Sequence, residues 1–182
     1  MVKLLRENVF VRWILTALRI WIGVEWIRSS LTKIGSSVWT GSQAGIAVEG
    51  FLRSAVAQSV GTHPNVQAWY ASFIKQFALP HARLFSYAVS FGELLVGIAL
   101  VFGCFTTFAA LVAVVMNMAY LLAGTTSTNP NMVIWEMFLL IGGFNAAYVG
   151  LDFFIIPRLR RFITHFQPKG GSDSRHVGKV SA

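Results

Sequence analysis

Three of the seven carboxylates in this chain, Glu25, Glu93 and Glu136, fall inside long apolar stretches, and so do Arg19 and Arg28. A charge at mid-membrane costs about 2.5–3.5 kcal/mol on insertion scales. Such residues therefore face a protein interior and find partners there. A buried carboxylate holds its proton more tightly than an exposed one, which suits it to proton transfer. The spacing predicts what can pair. Glu25 reaches Arg28 at i+3. Arg19 and Glu25 point about 120° apart, so Arg19 needs a carboxylate from another helix. Counted by depth, Glu93 is that partner. Arg19, Glu25, Glu93 and Glu136 are thus the candidate catalytic residues. Arg28, Lys33 and Arg83 form a basic mouth, with Asn117 and Trp26 completing a substrate-binding set.

The elements that must position these groups are helices. At about 100° per residue, Arg12, Thr16, Arg19, Gly23, Trp26, Ser30 and Lys33 share one stripe. Ser86, Ser90, Glu93 and Gly97 share a second, and Ala110, Ala113, Asn117 and Gly124 a third. Glu136, Gly143, Ala147 and Gly150 share a fourth. Small residues let helices approach closely in lipid, so these faces are expected to meet around one polar pocket. Buried Arg–Glu pairs also lock helices together with no further role, and that plain structural reading stands beside the functional one. Asn117 reads as a helix–helix bridge as readily as a ligand group.

A spanning helix needs about 20 mostly apolar residues. Four segments qualify, at roughly 9–31, 83–103, 106–123 and 132–151. The sequence therefore predicts an all-α membrane protein, a four-transmembrane-helix bundle over 1–155. Breaks fall at "GCFTT" (103–107) and at "GTTSTNPN" (124–131), where Gly124 ends a helix and Pro130 opens one. Residues 32–82 form a long outer loop between spans one and two. Within it "AGIAVEGFLRSAVAQ" (44–58) and "NVQAWYASFIKQFALP" (65–80) read as short amphipathic helices at the interface. Trp39, Trp69 and Tyr70 suit a headgroup belt. Asp152 is expected to pair with Arg158 at the interface. Residues 156–182 read as a basic cytoplasmic tail, polar and mobile after Pro168.

Composition supports the membrane reading and excludes other classes. The chain is 55% hydrophobic and 12% charged, against roughly 25% charged in soluble domains. Its mean hydropathy is +0.61. The net charge of +8 is not a nucleic-acid signal, because nine of the 15 Lys and Arg lie at the two ends. That is the positive-inside pattern of a multi-pass protein with both termini in the cytoplasm. The basic, apolar N-terminus lacks a small-residue cleavage site and reads as an uncleaved first span. A lone Cys104 excludes an internal disulfide and a Cys-x-x-Cys pair. No metal spacing is present, and spans without histidine leave an ordinary bis-His haem without ligands.

"WYASFIKQFALPHARLFSYAVSFGELLVGIALVFG" (69–103) and "NMAYLLAGTTSTNPNMVIWEMFLLIGGFNAAYVGLD" (117–152) resemble the DoxX/DoxD family of small four-helix membrane proteins. The first span, with Arg19, Gly23, Trp26 and Lys33, agrees. The resemblance covers roughly residues 10–155. It is a whole-pattern likeness with no short catalytic motif to carry over. It implies a prokaryotic cytoplasmic membrane. It also implies a subunit of the kind found in thiosulfate:quinone oxidoreductase, which oxidises thiosulfate to tetrathionate and reduces quinone. A non-covalent quinone is then the expected cofactor, with lipid, an oligomer or a redox partner subunit as the expected company. The alternative is a non-catalytic anchor or accessory subunit of a larger respiratory complex. A small-anion carrier is a weaker third reading, since no inverted repeat is evident.

Overall fold

The computed structural model describes residues 1–166. It is helical, and among the described residues no strand occurs. Helix α1 (Val2–Glu7) leads into the long α2 (Val9–Ile34). Asn8 separates them, and its side chain accepts a hydrogen bond from the Val11 amide, satisfying one donor of the first turn of α2. The segment between α2 and the next long helix supplies α3 (Ile46–Ala57) and α4 (Ala68–Phe73), which continues as a π turn over Ile74–Ala78. Then come α5 (Ala82–Phe102), α6 (Thr106–Leu122) and α7 (Asn129–Gly142). A single short turn, α8 (Phe144–Ala147), precedes α9 (Asp152–Phe166).

Two apolar cores result. Leu15, Ile22, Trp26, Val96, Leu100, Ala110, Ala113 and Leu139 fill the space between α2, α5, α6 and α7. Val48, Leu52, Ala55, Val66, Ile74 and Ala78 form a second core under α3 and α4, which cap one end of the bundle. Helices α2 and α5 run antiparallel and nearly touch: a Cβ on Gly23 would lie 2.8 Å from the carbonyl oxygen of Gly97, and the converse also holds. Outward faces are apolar, with Leu84, Phe91 and Leu95 on α5 and Phe108, Leu111 and Val115 on α6 all exposed. Exposed apolar surface on this scale marks contact with lipid or another protein.

The helices differ in detail from those the sequence predicts. Span one extends to Ile34 rather than 31. The fourth segment is not continuous from 132 to 151. It breaks at Gly143, whose φ of +54° favours glycine and turns the chain into α8. By length and composition one described helix, α5, can cross a membrane. Helix α6, at 17 residues, and α7, at 14, are shorter than the segments the hydropathy pattern marks. Helix α2 is long enough but carries Arg12, Arg19, Glu25, Arg28 and Lys33. The first part of the basic tail is the helix α9; the rest, with the mobility expected after Pro168, lies outside the described residues.

Candidate functional site

At the capped end, α2, α6 and α7 draw apart and enclose a cavity of about 1000 Å³. Its walls are aromatic: Trp21, Trp26, Trp39, Phe51, Tyr120 and Trp135. Trp21, Trp135 and Arg28 are exposed and Glu25 is partly so, which leaves the cavity open at this rim. The 124–131 turn closes its end through Thr125, Ser127 and Thr128.

The polar focus is Glu93. It is 1% exposed and accepts from three side chains on two other helices. Lys33 Nζ lies 2.6 Å from Oε1 and 2.5 Å from Oε2. Ser29 Oγ donates to Oε2 at 3.0 Å, and the Tyr120 hydroxyl donates to Oε1 at 2.7 Å. Lys33 also donates to Ser29 Oγ at 2.8 Å and sits 5.3 Å from the Trp39 ring centroid. Helical spacing makes this possible. Ser29 and Lys33 are i,i+4 on α2, and the α2–α5 register that sets Gly23 on Gly97 sets Ser29 beside Glu93.

Glu136 is fully buried one layer behind. Trp26 Nε1 donates to it at 2.9 Å, and Asn117 Nδ2 donates to both of its oxygens at 2.9 and 3.0 Å. Trp26 and Asn117 both line the cavity, so Glu136 is joined to it without facing it. Asn117 reaches both Glu136 oxygens from Nδ2, and since it lines the cavity its Oδ1 is the group left to accept there. At the rim Glu25 pairs with Arg28 at 3.0 Å, the i+3 contact the spacing predicts.

Two of the predicted site residues lie elsewhere. Arg19 does not pair with Glu93. Its guanidinium packs against Gly103, ten positions further along α5 and about 15 Å away along the helix axis. The depth count fails because α2 and α5 are staggered: the first turns of α2 run past the end of α5. Arg19 Nη2 instead donates to the carbonyl of Val149 at 2.7 Å, and its Nε and Nη1 make no hydrogen bond. Arg83 is not at the mouth. It sits beside Gly45 at the start of α3, because its position on α5 points about 80° away from Glu93.

Asp152 also departs from expectation. Its carboxylate accepts from the amides of Phe105 and Thr106 at 2.6 and 2.7 Å, capping α6, while Arg158 donates to the Phe154 carbonyl. Trp39 lies in the cavity wall, and its carbonyl accepts from Ser86. The Tyr70 hydroxyl, which donates to the carbonyl of Ala119, has its pKa raised by burial. Among the described residues no three or more His, Cys, Asp or Glu side chains gather as a metal site.

Sequence reading missed Tyr120, Ser29 and the two rim tryptophans. Tyr120 was findable: it follows Asn117 by one turn on the polar face of α6. Ser29 stands one turn before Lys33. Trp21 and Trp135 carried no signal that separates a cavity wall from a lipid-facing side chain.

Residues 14–125 match the family model described as DoxX. No curated protein and no solved structure matches the chain.

Proposed function

The chain belongs to the DoxX family, and from that premise we propose that it is a quinone-linked oxidoreductase subunit with its quinone site in the aromatic cavity. We place the four long helical segments across the cytoplasmic membrane of a prokaryote, with the capped end outward and both termini inside. The skew of basic residues toward the two ends and the apolar outward faces support that orientation.

The observation that carries the proposal is the cavity itself: an open, aromatic-walled chamber whose polar groups concentrate on Glu93. The donor set fits a quinone. A quinone is a flat apolar ring with two carbonyl acceptors, and it takes up two electrons and two protons to become a quinol. Trp and Tyr faces suit the ring. Lys33 and Tyr120 line the cavity while donating to Glu93, so each would turn from the carboxylate to meet a quinone carbonyl, and Asn117 Oδ1 can accept from a hydroxyl. Glu93 holds Lys33 and Tyr120 in place and, at the end of a hydrogen-bonded chain reaching Ser29, is the group able to pass protons onward. Exposed Trp21 and Trp135 at the rim would admit a lipid-soluble molecule.

The electron donor is thiosulfate or a related sulfur or thiol compound on the outer face. Two thiosulfates give one tetrathionate and release the two electrons that the quinone accepts. The cavity is poorly suited to the dianion, because Glu25 and Glu93 balance Arg28 and Lys33. The anion is therefore placed at the exposed Arg28 rim. The same neutrality favours a second reading, in which this chain is an accessory subunit that holds quinone while a partner oxidises the donor.

Purified protein assayed with thiosulfate and a soluble quinone separates these. Reduction by the chain alone supports the first. Bound quinone in a solvent extract with no activity until a partner is added supports the second. Neither bound quinone nor any quinone-dependent rate overturns both.

A further inference from the structure

At the uncapped end a groove of about 410 Å³ lies between the first turns of α2 and the segment leading into α9. Val9, Trp13, Phe153 and Phe154 form its exposed apolar walls. The charged side chain lining it is Arg12. This arginine is held rigidly from behind: Nε donates to Asn145 Oδ1 at 2.9 Å, and the guanidinium carbon sits 3.6 Å from the Tyr148 ring centroid. Asn145 is fixed in turn, donating to the carbonyls of Leu5 and Asn8. Among the described residues Arg12 makes no ion pair. Its Nη groups are left as a pre-oriented fork, and no countercharge cancels it. One turn along α9 from the groove-lining Phe154, exposed Arg158 donates through Nη1 to the Phe154 carbonyl at 2.9 Å.

We propose that this groove is a seat for an anionic phospholipid, with the phosphate on Arg12 and Arg158 and the first acyl methylenes along Trp13 and Phe154. The charge pattern calls for an anion. The planar fork suits phosphate, which arginine binds through two parallel N–H bonds. The walls call for hydrocarbon beside that anion, and a free phosphate would leave them bare. Tryptophan at a headgroup level is a common membrane-interface contact. Basic residues there each favour anionic lipid by about five-fold in binding. The seat lies at the opposite end of α2 from the cavity and does not depend on what the cavity binds.

The test uses the full chain, purified in detergent and mixed with phosphatidylglycerol or phosphatidylcholine of identical acyl chains. Native mass spectrometry then counts the lipid retained. The expected result is preferential retention of phosphatidylglycerol. Arg158→Gln lowers that preference about five-fold, and Arg12→Gln abolishes it. Trp13→Ala lowers retention of both lipids alike. Circular dichroism checks that each variant keeps its helices; if Arg12→Gln unfolds on losing Asn145, the other two variants decide. Equal retention of the two lipids by the unaltered protein overturns the proposal. So does a preference that survives unchanged in the folded arginine variants, since the anionic lipid then sits elsewhere.

Discussion

Two cations fourteen residues apart on α2, Lys33 part-buried and Arg19 fully buried, meet opposite fates. Lys33 bonds directly to Glu93 in the wall of a cavity, with Ser29 and Tyr120 filling out the hydrogen bonds to the carboxylate. Arg19 is sealed at 2% exposure against Gly103 and the carbonyl of Val149, and lines neither the large cavity nor the groove at the uncapped end. Nearby, Asp152 caps α6 and receives the rest of its order from the turn: its own amide donates to the Gly103 carbonyl at 2.8 Å. One cluster borders space that a ligand can enter. The other ties three chain segments together. Burial of charge alone does not mark a site; burial of charge next to a void does.

The sharpest way to break this contrast is Asp152→Ala. It strips the first turn of α6 of its acceptor and removes the nearest negative charge from Arg19. Breaking a buried charge arrangement costs about 3–5 kcal/mol, so thermal unfolding in detergent should drop steeply. An unchanged melting temperature would mean that the uncapped cluster is not a structural knot. At the other end, Glu93→Gln should leave the fold nearly intact, because Lys33 is 17% exposed and can turn toward water. Quinone reduction should fall about 100-fold or more, the usual loss when a proton-transfer group is removed. Activity retained with lowered stability would exchange the roles assigned to the two ends.

Smaller changes refine the cavity side. Tyr120→Phe removes one hydrogen bond to a carboxylate, worth about 1.5 kcal/mol, and should lower the melting temperature by about 3–6 °C and weaken turnover about ten-fold. Arg28→Gln breaks a rim pair in which Arg28 is 70% exposed. Exposed pairs contribute little to stability, so the protein should stay as stable as before. The apparent affinity for thiosulfate should shift by about two-fold and lose its salt dependence. A large effect there would move the decisive electrostatics from the Glu93 cluster to the mouth.

The helical stripes were legible in the sequence. Thr16, Arg19, Gly23, Trp26 and Ser30 on α2 are buried, as are Ser86, Ser90 and Glu93 on α5. Periodicity suffices for that, because one turn of a helix fixes which side chains share a face. The pairing between stripes was not legible. Arg19 was matched to Glu93 by assuming that two apolar segments of similar length sit level, and nothing in either segment encodes a stagger. The close approach of Gly23 and Gly97 sets the stagger, and it slides Arg19 down to Gly103. The break at Gly143 was hidden for a related reason: "GG" within an apolar run fits a tight helix contact as well as a positive φ.

By itself, then, the order of residues determined helices, their polar faces and the isolation of a few ionisable groups within apolar surroundings. Those depend on neighbours within a turn or two along the chain. Which cation met which carboxylate, and whether a void lay beside them, was settled only by the folded arrangement. Both depend on the offset and splay of helices, which arise from contacts between segments some seventy residues apart, Gly23 with Gly97 first among them.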